Sequence, residues 1–377
     1  MAWRDLPERF GPWQTMWKRH HGIGITSRGD ARSLCAVIVG APVAGPCMIR
    51  MSKHRRPNRF RVTVVDLSQY SCARTRMVRL YRRMVTALQR PTADGLTDAV
   101  EAMTSWQREG APIQLHPGDL GWQWRFGADS LARALRVWTR DQEILAVGFL
   151  DLDVPAGGAG VIRMGVAPGA DQDEDLARVL VNDLEDPSRG VFSAGTAIVE
   201  ARFGRAFRSL LHARGWVDDE PWTPLYRNLA EPVEPSGLRV ETVGPDRAEE
   251  RTAVQRSAFD RSTFTVERWL TMATGGPYQQ ARCVLGYDAD DKAVAAATVW
   301  SAGPGRPGLL EPMGVHREHR GRGHGRAITL AAAAALREMG SSSAIVATPT
   351  SNAAAVATYV AAGFRAEGHV TDFRRPA

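Results

Sequence analysis

Apolar and polar residues alternate at helix and strand periods along most of this chain, but sustained periodicity begins only at Thr92. LTDAVEAMTSWQREG carries the apolar stripe of a helix, and after the polar stop TRDQ the run EILAVGFLDL (143–152) predicts a buried strand. Further along, the pattern predicts a strand over 238–244, helices over 247–259 and 265–274, and strands over 281–287, 293–302 and 309–315. A glycine-rich loop follows, then a helix over 324–339, a strand over 343–349, a helix over 352–362 and a terminal strand from Arg365. Mixed strands with few helices give an α/β (α+β) layered fold.

The pattern recurs within the chain. GVIRMGV (160–166) matches LLEPMGV (309–315) at an offset of 149 residues, through Met164/Met313, Gly165/Gly314 and Val166/Val315. HARGW (212–216) matches VAAGF (360–364) at an offset of 148, through Gly215/Gly363 and Trp216/Phe364. Two matches at nearly one offset imply tandem copies of one mixed-sheet fold. AEPVEPSG (230–237), with two prolines and a glycine, reads as a short linker. The expected organisation is a basic segment over 1–92, a first copy over 93–230 and a second over 237–377.

Length agrees with this division, since 377 residues exceed the roughly 250 at which a single core stops growing. With 44% hydrophobic and 24% charged residues the chain is neither collagen-like, nor wholly disordered, nor a multi-span membrane protein. The net charge of +7 suggests a nucleic-acid partner until it is divided. Residues 1–92 carry 18 Lys and Arg against 4 Asp and Glu, and residues 93–377 carry 30 against 37. All the excess positive charge therefore lies in the first segment, where SKHRRPNRFR (52–61) reads as solvated and the whole as mostly disordered. Cys35, Cys47 and Cys72 lie there and Cys283 in the second copy, with no CxxC pair, so neither a metal site nor a disulfide framework is expected, and a reducing cytoplasm is. The apolar run 34–49 is too short and too broken by Gly and Pro to span a membrane, and reads as a core strand or a disordered stretch.

The chemistry concentrates in HREHRGRGHGRAITLAAAAALREMG (316–340): a strand end, an Arg-Gly turn and an alanine-rich helix. Gly321, Gly323 and Gly325 allow close backbone approach, and the free N–H groups at the helix start, around His324, face outward with the helix dipole behind them. Arg320, Arg322 and Arg326 add charge suited to a pyrophosphate. In TSNAAAVATYVAAGF (350–364), Asn352, Ala355 and Tyr359 fall on one helical stripe, with Gly363 as the stop. Taken alone, the loop could equally be a solvated turn, Asn352 an N-cap and Tyr359 a packing residue.

Arg320-x-x-Gly323-x-Gly325 after a strand, followed after the next strand by Asn352-x-x-Ala355-x-x-x-Tyr359-x-x-x-Gly363-Phe364, resembles the acyl-CoA-binding core of the GNAT superfamily of N-acetyltransferases. The resemblance implies transfer of an acetyl group from acetyl-CoA to an amine of a small-molecule or protein acceptor. It also implies that backbone N–H groups of the 320–325 loop bind the CoA pyrophosphate, that strand residues Met313, Gly314 and Val315 pair with the pantetheine arm, and that Asn352 contacts pantetheine or a water. Tyr359 would be the general acid at the departing thiolate. Glu311, on the strand entering the loop, is the better choice of general base, with His316 just beyond; Glu311 could equally be half of a structural ion pair.

The first copy lacks these residues: the counterparts of Arg320, Gly323 and Gly325 are Asp171, Glu174 and Leu176, and those of Asn352 and Tyr359 are Gly204 and Leu211. A cradle lined by acids repels a pyrophosphate, so this copy is expected to be a non-catalytic partner that shapes the acceptor pocket. The two copies together resemble tandem-GNAT acetyltransferases, of which mycothiol synthase is one kind. WRDLPERFGPWQTMWKR (3–19) is similar to a stretch near the N-terminus of DDE-type insertion-element transposases, which implies a fused or extended reading frame rather than a purposeful DNA-binding arm. The competing readings are an acyl-CoA-binding sensor without turnover, and a DNA-binding protein acting through residues 1–92.

Overall fold

In the first stretch of chain with regular structure, β1 (Ser33–Ile38), β2 (Cys47–Lys53) and β3 (Phe60–Asp66) form an antiparallel sheet in that order, with Ile38 opposite Cys47 and Lys53 opposite Phe60. The computed structural model describes the backbone of these strands, and in full residues 85–152, 160–193, 195–260 and 262–376. The apolar run 34–49 therefore contributes to two strands rather than one. The transposase-like stretch 3–19 and the centre of the basic run, 54–59, lie outside the described residues.

The chain divides into two units, Met1–Val85 and Thr86–Ala377. In the second unit the first copy comprises β4 (Ala87–Gln89), α1 (Leu96–Trp106), α2 (Pro117–Gln123), α3 (Ala128–Ala134), β5 (Leu135–Arg140), β6 (Glu143–Leu150), β7 (Gly160–Val166), α4 (Glu174–Glu185), β8 (Ala197–Glu200), α5 (Arg205–Ala213) and β9 (Val217–Asn228). The second comprises β10 (Arg239–Thr242), α6 (Ala248–Ala258), α7 (Val266–Ala273), β11 (Ala281–Tyr287), β12 (Ala293–Trp300), β13 (Pro307–Val315), α8 (His324–Glu338), β14 (Ser343–Pro349), α9 (Ala353–Ala361), β15 (Arg365–Ala366) and β16 (Val370–Arg375). In each copy four antiparallel strands lead into one parallel pair, β7 with β8 and β13 with β14. The internal repeat falls on β7 and β13 and on the ends of α5 and α9. There the helix stop repeats bond for bond: Gly215 and Gly363 have φ of 85° and 79°, and Trp216 N and Phe364 N reach back to Leu211 O and Tyr359 O, both at 3.1 Å.

The copies exchange their last strands. The sheet runs β10-β11-β12-β13-β14-β9-β16-β8-β7-β6-β5-β4, so β9 of the first copy lies against β14 of the second, and β16 of the second lies against β8 of the first. Apolar anchors cross with them: Phe373 is buried in the first core, and Leu225 in the second. The faces also meet where Gly118 and Gly121 of α2 lie flat on Trp300; a Cβ at either would come within 2.5 and 2.3 Å of that side chain.

This unit starts ahead of the expected boundary at 93. Ala87–Gln89 pair with β5, Leu88 packs on the first core, and Arg90 Nη2 donates to the carbonyls of Arg189 and Gly190 at 3.0 and 3.3 Å. A three-residue strand is too short for hydrophobic period to mark.

Candidate active site

The parallel pairing of β13 with β14 ends at Leu309 opposite Ile345, after which the two strands diverge. On β12, Ala297 lies opposite Met313 and Val299 opposite Leu310, so Glu311 and Pro312 form a bulge facing Thr298. Beyond the bulge the ladder to β12 resumes, with His316 N donating to Val294 O at 2.8 Å. Because neighbouring residues of a strand bond to opposite sides, the N–H and C=O groups of Met313 and Val315 point away from β12, into the gap. Gly314 points toward β12 instead, and a Cβ there would come within 2.6 Å of Ala258.

At the mouth of that gap α8 begins with Gly323 as N-cap, at φ 85° and with no side-chain cap. Its first amides are therefore left without a side-chain cap. Gly321 (φ 76°) and Gly323 have no protein atom within 4 Å of where a Cβ would stand, whereas a Cβ on Gly325 would meet Thr358 of α9 at 3.0 Å. Gly325 thus serves the close packing of α8 on α9. The arginines also divide. Arg320 Nη2 donates to Ala258 O at 2.7 Å and Arg326 Nε to Ala361 O at 2.8 Å, each closing the end of a helix. Among the described residues Arg322 alone of the three has no hydrogen-bond partner. His316, His319 and His324 cluster beside the loop, the first pair edge to face and the second tilted, with ring centroids 5.4 and 6.3 Å apart, and burial, then His319, lower the His324 pKa.

Asn352 is the N-cap of α9, its Oδ1 accepting from Ala355 N at 3.2 Å, which leaves its amide group free to donate. Tyr359 is buried against Phe364, and burial, then the Glu311 carboxylate, push its phenol up from the ordinary value. The bulge therefore sets Glu311 close enough to Tyr359 to act on it electrostatically. Glu311 is about one-third exposed and lies 3.8 Å from Arg163 Nη1, so the ion-pair reading is met in the structure as well.

The corresponding gap in the first copy is filled by the chain itself. Leu115 N donates to Met164 O at 3.5 Å and Gln114 Oε1 accepts from Val166 N at 2.9 Å, at the counterparts of Met313 and Val315. The start of α4 is likewise taken: Asp173 caps it by accepting from Leu176 N at 2.8 Å and pairs with Arg140 at 2.6 Å.

Charged residues that the repeat comparison does not single out surround Glu311. Arg163 Nη1 lies 3.0 Å from Asp119, and its Nε 3.5 Å from Glu200. Arg202 lies 3.3 Å from Glu200 and 3.4 Å from Asp372 of the exchanged strand. Burial, then Glu311, push Asp119 up to about 7, and burial, then Glu200, push Asp372 up to about 6. The one sequence sign of this network is a lone arginine in the otherwise apolar strand GVIRMGV.

Residues 248–364 match the model described as the acetyltransferase (GNAT) family. The chain carries a GNAT acetyltransferase domain. It uses acetyl-CoA as co-substrate and is an N-acetyltransferase. Over 256 residues, 64% of this chain and 82% of the relative, it is 29% identical to a mycothiol acetyltransferase of Thermobispora bispora. The fold is similar to that of a tandem GNAT protein from the clavulanic acid biosynthesis pathway (TM-score 0.50, 17% identity, 77% of this chain and 98% of that one). It is also similar to a GNAT-family acetyltransferase from Colwellia psychrerythraea (TM-score 0.50, 14% identity, 77% and 99%). Among the described residues no helix is long and apolar enough to cross a membrane.

Proposed function

We propose that the second copy holds acetyl-CoA in the gap between β13 and β14 and that the first copy holds none. The observation that carries this is the contrast between two equivalent gaps: one presents free backbone groups at Met313 and Val315 and an uncapped helix start, and the other is filled by Gln114, Leu115 and Asp173. The amides from Gly321 to Arg326 and the side chain of Arg322 take the pyrophosphate, Met313 and Val315 pair with the pantetheine amides, and Asn352 donates to that arm.

In the transfer, the acceptor nitrogen forms a bond to the acetyl carbon while the carbon–sulfur bond breaks. Glu311 takes the proton from the amine, directly or through water, and Tyr359 gives its phenolic proton to the departing thiolate. The bulge at Glu311 and the buried position of Tyr359, whose phenol feels the Glu311 charge, support these roles. The mycothiol acetyltransferase relative favours a second reading of the acceptor, an amine of a small thiol precursor. Cytoplasmic placement fits either, and residues 1–92 take no part in catalysis.

A screen of amines with detection of the free thiol of CoA tests the function. Turnover with any amine is expected. Tight acetyl-CoA binding with no turnover on any amine supports a sensor instead.

A further inference from the structure

We propose that Arg163, a residue of the first copy, is a positioning residue for the reaction of the second, its guanidinium holding the Glu311 carboxylate in place. This rests on Glu311 being the general base. Arg163 stands on β7 in the last rung of that strand's parallel pairing, opposite Glu200. From there a single guanidinium faces three carboxylates: Asp119 at 3.0 Å, Glu200 at 3.5 Å and Glu311 at 3.8 Å. Two of them belong to the first copy, and only Glu311 belongs to the second.

The arrangement is fixed from both sides. Asp119 accepts from His116 N at 2.7 Å in the capping box of α2, and Glu200 is held by Arg202, which is itself paired with Asp372 on the exchanged strand β16. Arg163 therefore has little freedom to leave, and the first copy supplies a cation at a set distance from the base. Without it Glu311 would face the carboxyls of Asp119 and Glu200 with only Arg202, already paired with Glu200 and Asp372, as a nearby cation, and like-charge repulsion would turn its side chain out of place. The other titratable groups facing this region are Tyr359 on α9, buried His116 ahead of α2, and Asp151, whose charge acts on Arg163. Neither His116, whose pKa burial lowers to about 4, nor Tyr359 can supply the positive charge that Arg163 gives at neutral pH.

The exchange of strands then has a catalytic consequence. The network Glu311, Arg163, Glu200, Arg202, Asp372 crosses from the second copy to the first and back again, so the second copy alone has neither its neighbouring strand nor the partner of its base.

The test compares the parent with Arg163→Met, Arg163→Lys and Glu311→Gln in the full chain, using the best amine from the screen. The values of kcat and KM are measured separately for each, with acetyl-CoA affinity by calorimetry. Arg163→Met should lower kcat about tenfold at pH 7 while leaving acetyl-CoA affinity unchanged, because the base is no longer held where the amine proton leaves. Arg163→Lys, which restores the charge, should return kcat most of the way. Arg163→Gln, which keeps a hydrogen-bonding side chain and loses only the charge, replaces the methionine variant if that one does not fold. An unchanged kcat in the uncharged variant, beside a Glu311→Gln enzyme that has lost turnover, overturns the role of Arg163 and leaves the base assignment standing. A Glu311→Gln enzyme as fast as the parent overturns the base assignment and this inference with it.

Discussion

Phe373, from the last strand of the second copy, lies opposite Val199 of the first copy and is fully buried in the first copy's core. The two halves of Thr86–Ala377 are therefore not beads on a string, although the linker over 230–237 reads as if they were.

Phe373→Ala should cost about 3–5 kcal/mol, the usual range for emptying a buried phenylalanine site. Since β16 also pairs with β9, which covers β14, the loss should be felt across both copies. Scanning calorimetry should show one transition at lower temperature, and a first copy that melts alone would contradict the shared core.

The loop offers a sharper division among its arginines than its sequence does. Arg322→Ala should weaken acetyl-CoA binding about tenfold with little change in melting temperature, because a single charge-assisted contact to phosphate is lost. Arg320→Ala removes the bond to Ala258 O and should lower the melting temperature. Calorimetric titration and thermal denaturation of the two variants separate these effects.

Tyr359→Phe keeps the packing on Phe364 and removes only the hydroxyl. Turnover should fall about 10²-fold with acetyl-CoA affinity unchanged. Because burial and Glu311 raise the phenol's pKa, Tyr359 stays protonated past the ordinary phenol value of about 10, so it should set no alkaline limb below that pH. A Phe variant as fast as the parent makes Tyr359 a packing residue.

The buried carboxylates make a pH prediction of the opposite sign to the usual one. The Asp372 carboxyl is pushed up to about 6 by burial, then Glu200, so the folded chain holds its proton more tightly than the unfolded chain does. Its contribution to stability is fully present below the unfolded value of about 4 and is lost as the pH rises through about 6. Asp372→Asn should therefore gain in melting temperature relative to the parent between pH 4 and pH 7. A difference that stays constant over that range would show that the carboxyl is not perturbed.

Much of this was legible in the sequence where structure is local. The strand over 281–287 and the strand over 343–349 have the observed bounds, because hydrophobic period and turn residues act within a few positions. The Gly-Phe and Gly-Trp helix stops marked the repeat for the same reason. The exchange of β9 and β16 was not legible, since which of two similar strands an edge accepts depends on long-range packing. Nor was the plug at Gln114 and Leu115, which sits in no periodic element. Arg320 and Gly325 carry a recognisable spacing, yet the spacing alone does not say that one closes α6 and the other seats α9.

Hydrogen exchange of the full chain with and without acetyl-CoA tests most directly whether the second gap, and not the first, is the binding site. Protection should rise in peptides covering Met313 to Arg326 and around Asn352, and stay unchanged over 160–176, where Gln114, Leu115 and Asp173 already hold the equivalent groups. Protection gained over 160–176, or none gained over Met313 to Arg326, would contradict the assignment.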